Sequence, residues 1–176
     1  MDGLAHLVDD TIHPLQPLIV LVALIGWVIA ATSMIRTRLI HKEKYASPAF
    51  IIGAIIFVGI IGAEFAVYDF VIREALNDEI KPQLAGKIES VTVNGNPLDN
   101  SGPLITALRE MHGTIGHHSH TTTRFRVVLT TSRGTLPLDL NRDSQDPHEY
   151  WVYYPSFHIT KLKEVGHAFT DTLDGM

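Results

Sequence analysis

Apolar positions are distributed unevenly along the chain. Before about residue 72 they form two nearly unbroken runs, and after it they recur in short alternations. The first run, Pro17–Ile35 (PLIVLVALIGWVIAATSMI), carries no charge and would span about 28 Å as a helix, close to the ~30 Å hydrocarbon core of a bilayer. The second is Pro48–Ile72, PAFIIGAIIFVGIIGAEFAVYDFVI. A chain of 176 residues has little other protein with which to surround two such helices, so both are expected to cross a membrane. Neither is expected to be a signal peptide. The N-terminal flank carries Asp2, Asp9 and Asp10 in place of a basic region, and no small-residue cleavage site is placed for release.

Charge bias orients the spans. Arg36, Arg38, Lys42 and Lys44 lie between them against the single acid Glu43. No Lys or Arg precedes the first span, and Arg73 after the second is followed by Glu74, Asp78 and Glu79. Short basic loops stay in the cytoplasm, which puts both termini outside. The expected location is the cell membrane, the inner membrane in a Gram-negative bacterium. The expected segments are an outer N-terminal piece (1–15), a first span (16–36), a cytoplasmic loop (37–47), a second span (48–72), a helical stalk (73–87) and an extracytoplasmic domain (88–176). Pro17 and Pro48 suit first helical turns, where a missing N–H costs nothing, and Ser47 is a candidate cap for the second helix.

Small residues recur at four-residue spacing: Gly26 with Ala30, Ala49 with Gly53, Gly59 with Ala63, and Gly62 with Ala66. Such pairs let a neighbouring backbone approach, either within the hairpin or from another chain. Glu64 lies roughly 24 Å along its helix from Pro48, near the outer edge of the hydrocarbon core. Tyr68 shares its face, and Asp69 falls at the interface. Three roles suit Glu64: a structural anchor, a contact to a partner subunit or small ligand, or proton or ion movement. The last needs polar groups at several depths, and only Thr32 and Ser33 supply others.

Past the stalk, which should end by Pro82 and Gly86, Ile88–Val93 reads as a strand followed by an NGN turn. Gly102–Met111 reads as a helix beginning around Pro103, capped by Ser101, with Leu104, Leu108 and Met111 on one side. Phe125, Val127 and Leu129 alternate with Arg124, Arg126 and Val128. Leu136, Leu138 and Leu140 alternate likewise after a TSRG turn, giving two antiparallel strands that share an apolar face. Pro137 suggests an edge or irregular position. A polar loop (141–149) leads to the aromatic stretch 150–157, in which Tyr150, Val152 and Tyr154 oppose Trp151 and Tyr153. The expected fold is an α+β membrane protein: a two-helix transmembrane hairpin, then a small extracytoplasmic antiparallel sheet with one packed helix.

Composition narrows the chemistry. Net charge is -5, and the region after residue 72 is not basic, so nucleic acid is not an expected partner. There is no Cys, which removes disulfides, thiolate nucleophiles and Cys-based metal sites. The densest polar cluster is His117, His118 and His120 in GTIGHHSHTTT, preceded by His112. Imidazole suits zinc, copper or nickel, and His118 and His120 would share one side of an extended segment. A further ligand would have to come from elsewhere, with His148, His158, His167 or an acid as candidates. The plainer reading is surface histidines, and no cofactor beyond such a metal is expected.

Asp139, Asn141 and Asp143 have the opening spacing of a calcium loop, which then fails at Ser144 and Tyr150. Asp143, Asp146, His148 and Glu149 offer carboxylates and a base, but no nucleophile motif accompanies them. Arg124 and Arg126, with Trp151, Tyr153 and Tyr154, are candidates for an outer contact with lipid headgroups, an anionic glycan or acidic protein groups. The expected function is a non-catalytic, accessory membrane subunit. It would dock to other membrane subunits or to itself through Gly26, Gly53, Gly59, Gly62, Glu64, Tyr68 and Asp69 and through the outer domain. The alternatives are an outer ligand or metal sensor, and a small transporter or pore subunit using Glu64.

Overall fold

The computed structural model describes residues 4–39, 48–113 and 119–176. Lys42, Glu43, Lys44, the candidate cap Ser47, and His117 and His118 lie outside them. Two long helices come first, α1 (Leu4–Leu39) and α2 (Pro48–Glu74). Helix α1 begins well before the expected span, so the segment expected as 1–15 is largely helical. Pro14 and Pro17 lie inside the helix rather than at its start, and each removes one bond from its ladder. Pro48 does open α2, as the sequence implies.

Both helices are long and apolar enough to cross a membrane. The chain itself covers only 17% of the most apolar stretch of the first and 6% of the second. Val58, Ile55 and Phe65 remain 66%, 65% and 64% exposed.

The chain divides into two units, one formed by residues 10–70 and the other by residues 1–9 with 71–176. Within the first, glycine sets the distance of approach. A Cβ on Gly53 would sit 2.8 Å from the Gly26 carbonyl oxygen and 3.0 Å from the Ala30 Cβ, so these helices meet backbone to backbone. Gly59 and Gly62 have nothing within 4 Å of such a Cβ. The repeated small residues therefore serve two situations: one set closes the hairpin, and the other leaves an open face on α2.

In the second unit, α2 widens into a π-helical turn (Ala75–Ile80) and continues as α3 (Lys81–Ala85), with Pro82 in its first turn. The rest folds as β1 (Ile88–Val93), β2 (Asn96–Pro97), α4 (Gly102–Arg109), β3 (Thr121–Thr131), β4 (Gly134–Asp143), β5 (Glu149–Tyr153), α5 (His158–Leu162) and β6 (Gly166–Phe169). The strands form one antiparallel sheet in the order β2-β1-β3-β4-β5-β6.

The β3–β4 register places Phe125 opposite Leu140, Val127 opposite Leu138 and Leu129 opposite Leu136. All six are at most 1% exposed, so they form the centre of the core. Tyr150 and Val152 of β5 extend that face, and Leu104 and Leu108 of α4 are buried with them. Helix α4 packs on α3 and reaches β6, while α5 packs on β5.

Several details differ from the sequence reading. Ser101 makes no side-chain cap, and α4 stops at Arg109, leaving Met111 outside it. The NGN turn has positive φ at Asn94 and Gly95, the tight hairpin geometry that returns the chain into β2. Pro137 lies in an interior strand, but β5 pairs with β4 only from Asp139 onward. Its missing N–H thus falls where β4 is locally an edge. The stretch expected to be loop from Asn141 continues β4 to Asp143, and the sequence pattern announces neither α5 nor β6. Met111 and His112 press so close to β6 that a Cβ on Gly166 would sit 2.4 Å from the His112 carbonyl oxygen.

Replacing Gly53 with Val should weaken the hairpin by roughly 1–3 kcal/mol through overpacking against backbone. Gly59→Ala should leave monomer stability unchanged or slightly raised. Unfolding of the full chain in mild detergent, followed by helical circular dichroism, distinguishes the two.

Candidate functional site

The sheet's second face is polar. Arg124 and Arg126 on β3, Asp139, Asn141 and Asp143 on β4, Glu149, Trp151 and Tyr153 on β5, and His167 on β6 share it by register. Most of its ionisable groups are held internally. Asp139 accepts from Arg124 Nη2 at 2.6 Å and Arg126 Nη1 at 3.0 Å; the carboxylate is buried, whereas the arginine side chains are 64% and 44% exposed. His167 and Glu149 form a buried contact at 2.7 Å between Nδ1 and Oε1, with the Trp151 ring 5.5 Å from the imidazole.

Asp143 terminates β4 and organises the turn between β4 and β5. Its carboxylate accepts the Ser119 hydroxyl at 2.5 Å, the backbone N–H groups of Gln145 and Asp146, and Trp151 Nε1 at 3.0 Å. Burial alone would raise its pKa, but these four donors outweigh burial and hold the carboxyl below its ordinary value. The calcium-like spacing of Asp139, Asn141 and Asp143 is therefore the period of a strand, with carboxylates facing arginines and an Asx turn.

On the opposite face, Arg142 lies over the Phe125 and Tyr150 rings and donates to the Tyr150 hydroxyl and the Leu173 carbonyl. Burial raises the Tyr150 pKa despite the neighbouring guanidinium.

A second cluster joins the start of α1 to the sheet domain. Asp9, 1% exposed, accepts the backbone N–H of His158 at 2.5 Å and of Ile159 at 3.0 Å, and lies 3.0 Å from His158 Nδ1. Helix α5 has no cap from its own N-terminal residue Phe157. Asp9 supplies the acceptor from 149 residues away. His6 stacks on Phe157 with centroids 4.1 Å apart and approaches Glu79 at 3.2 Å, and the Tyr154 hydroxyl donates to the other Glu79 oxygen. Burial first, then this hydrogen bond to a carboxylate, pushes the Tyr154 pKa up to about 12.

The third feature lies inside the hairpin unit. Ile12 and Ile19 on α1, with Ile60, Ala63 and Val67 on α2, line an apolar groove of about 240 Å³ together with Glu64 and Tyr68. Glu64 Oε1 is buried there without a hydrogen-bond partner among the described residues. Gln16 donates to the Tyr68 hydroxyl beside it. Asp69 is exposed and engaged elsewhere.

Of the expected histidine site, His117 and His118 lie outside the described residues. His112 serves through its backbone, exchanging two 2.9 Å hydrogen bonds with His167, and His120 is exposed. Asp9 and His158 instead present ligand atoms close together and could supply two ligands to a metal ion. The sequence offers His158 only as an accessory ligand. It offers Asp9 only as flanking charge, because its partner is so distant along the chain. The chain matches no protein-family model, no curated protein and no solved structure.

The raised Tyr154 pKa has a definite sign. The native state favours the neutral phenol, so its contribution is complete below pH 10 and disappears as pH rises from 10 to about 12. Tyr154→Phe should flatten the loss of stability across that window. Denaturation midpoints of the full chain in detergent, measured at several alkaline pH values, test this.

Proposed function

We propose that the chain is a non-catalytic subunit of a membrane assembly, with α1 and α2 in the bilayer and the sheet domain outside the cytoplasm. The observation that carries this reading is the uncovered apolar surface of the two helices. A core helix of a soluble protein would be largely covered, whereas here 17% and 6% of the apolar stretches are buried. A bilayer provides the missing cover. The basic residues Arg36, Arg38, Lys42 and Lys44 between the helices orient them with both ends outside.

Docking is supported by the open Gly59–Gly62 face of α2 and by exposed Phe169 beside half-buried Trp151 and Tyr153 on the sheet. The internal pairing of Asp139, Asp143, Glu149 and His167 gives that face the character of a scaffold, its polar groups used to hold strands together. Gentle solubilisation followed by cross-linking and mass measurement should show a complex larger than one 19.5 kDa chain. A lone monomer with nothing co-purifying would overturn the reading.

A metal-sensing role is the second reading, favoured by Asp9 and His158. Under it, protein purified without a histidine tag should contain zinc or copper, and His158→Ala should remove it. Metal content by elemental mass spectrometry decides, and a metal-free native protein rejects this role.

A further inference from the structure

The hairpin groove around Glu64 has features that the docking reading alone does not use. Its walls follow helical seams. Ile12 and Ile19 are seven residues apart on α1, and Ile60, Ala63, Glu64 and Val67 follow i, i+3, i+4 and i+7 on α2. That spacing accepts the side chains of a third helix, with the small Ala63 allowing close approach. Within this apolar seam stands one carboxyl group whose Oε1 is buried and has no hydrogen-bond partner among the described residues. An acid in such surroundings is stabilised by an opposite charge delivered to it.

We propose that this groove docks a transmembrane helix of a different chain, which presents a Lys or Arg side chain to Glu64 in the outer half of the bilayer. The inference rests on the membrane-subunit reading and names the chemistry of the partner. A second copy does not fit. Between residues 10 and 35, and between 48 and 72, the chain has no Lys or Arg. Arg73 lies nine residues beyond Glu64, about 13 Å farther along the helix, and Arg36 belongs to the opposite end. His13, the nearest histidine to the groove in the sequence, is already engaged in an interaction. An aminolipid would satisfy the charge, but it would not require the heptad-like spacing of the walls.

Photo-cross-linking of the full chain in its native membrane tests the proposal. A benzophenone side chain replaces Val67 in the groove or, as a control on another face of α2, exposed Val58. The Val67 probe should capture a transmembrane segment of another chain with Lys or Arg within one turn of the cross-link. Glu64→Gln should lower that yield at least tenfold. Glu64→Lys, combined with an acid in place of the partner's basic residue, should restore it.

Capture of lipid, of a second copy, or of a helix without a basic residue overturns the inference, as does an unchanged yield with Glu64→Gln. Protein capture from Val58 alone leaves the docking reading standing and rejects only the groove. No protein capture at either position, with a monomer on solubilisation, rejects both.

Discussion

The sheet domain depends on the pairing of β3 with β4. Six side chains, Phe125, Val127, Leu129, Leu136, Leu138 and Leu140, meet in three cross-strand pairs and are almost wholly removed from water. A slip of either strand by one residue would turn its three apolar side chains to the other face and bring Arg126 or Asp139 toward the core. The same register places Asp139 beside Arg124 and Arg126. The apolar pattern thus fixes the geometry of both faces, including the polar one that it does not itself occupy.

That polar face shows how buried charge is accommodated in a small domain. Asp143 is held by four donors, two of them backbone N–H groups in the adjoining turn. His167 and Glu149 pair at the far side of the sheet. Each contact links neighbouring strands or a strand to its loop, so removing one partner would leave a desolvated group behind. The arginines keep exposed stems and heads, leaving a mixed basic and aromatic surface around Tyr153 and Trp151.

Legibility in the sequence follows the range of the interactions. The two apolar helices and the β3 and β4 alternation are readable because their signal is local and periodic. Strand β6 is not. GHAF has no alternation to announce it, and it becomes a strand by pairing with β5 and by the close passage of Met111 and His112 over Gly166. Pro137 points to an edge on sound grounds, but only the length of β5 reveals that an interior strand is locally unpaired there. The histidine-rich stretch draws attention by density, whereas Asp9 and His158 meet across 149 residues and carry no shared motif. The position of Glu64 along α2 follows from counting residues, but the apolar groove around it depends on how Ile12 and Ile19 face α2.

The capping of α5 by Asp9 ties the beginning of the chain to its last quarter. The sheet-bearing unit contains residues from before the first long apolar run as well as those after the second. The first turn of α5 cannot be capped by the downstream segment alone, because the acceptor for His158 and Ile159 has already been synthesised more than a hundred residues earlier. During biosynthesis, the opening turns of α1 are made long before the segment that Asp9 caps. Closure of the sheet-bearing unit therefore needs the start of α1 as well as the segment after α2, and a fragment starting after the second helix would lack one of its own structural parts.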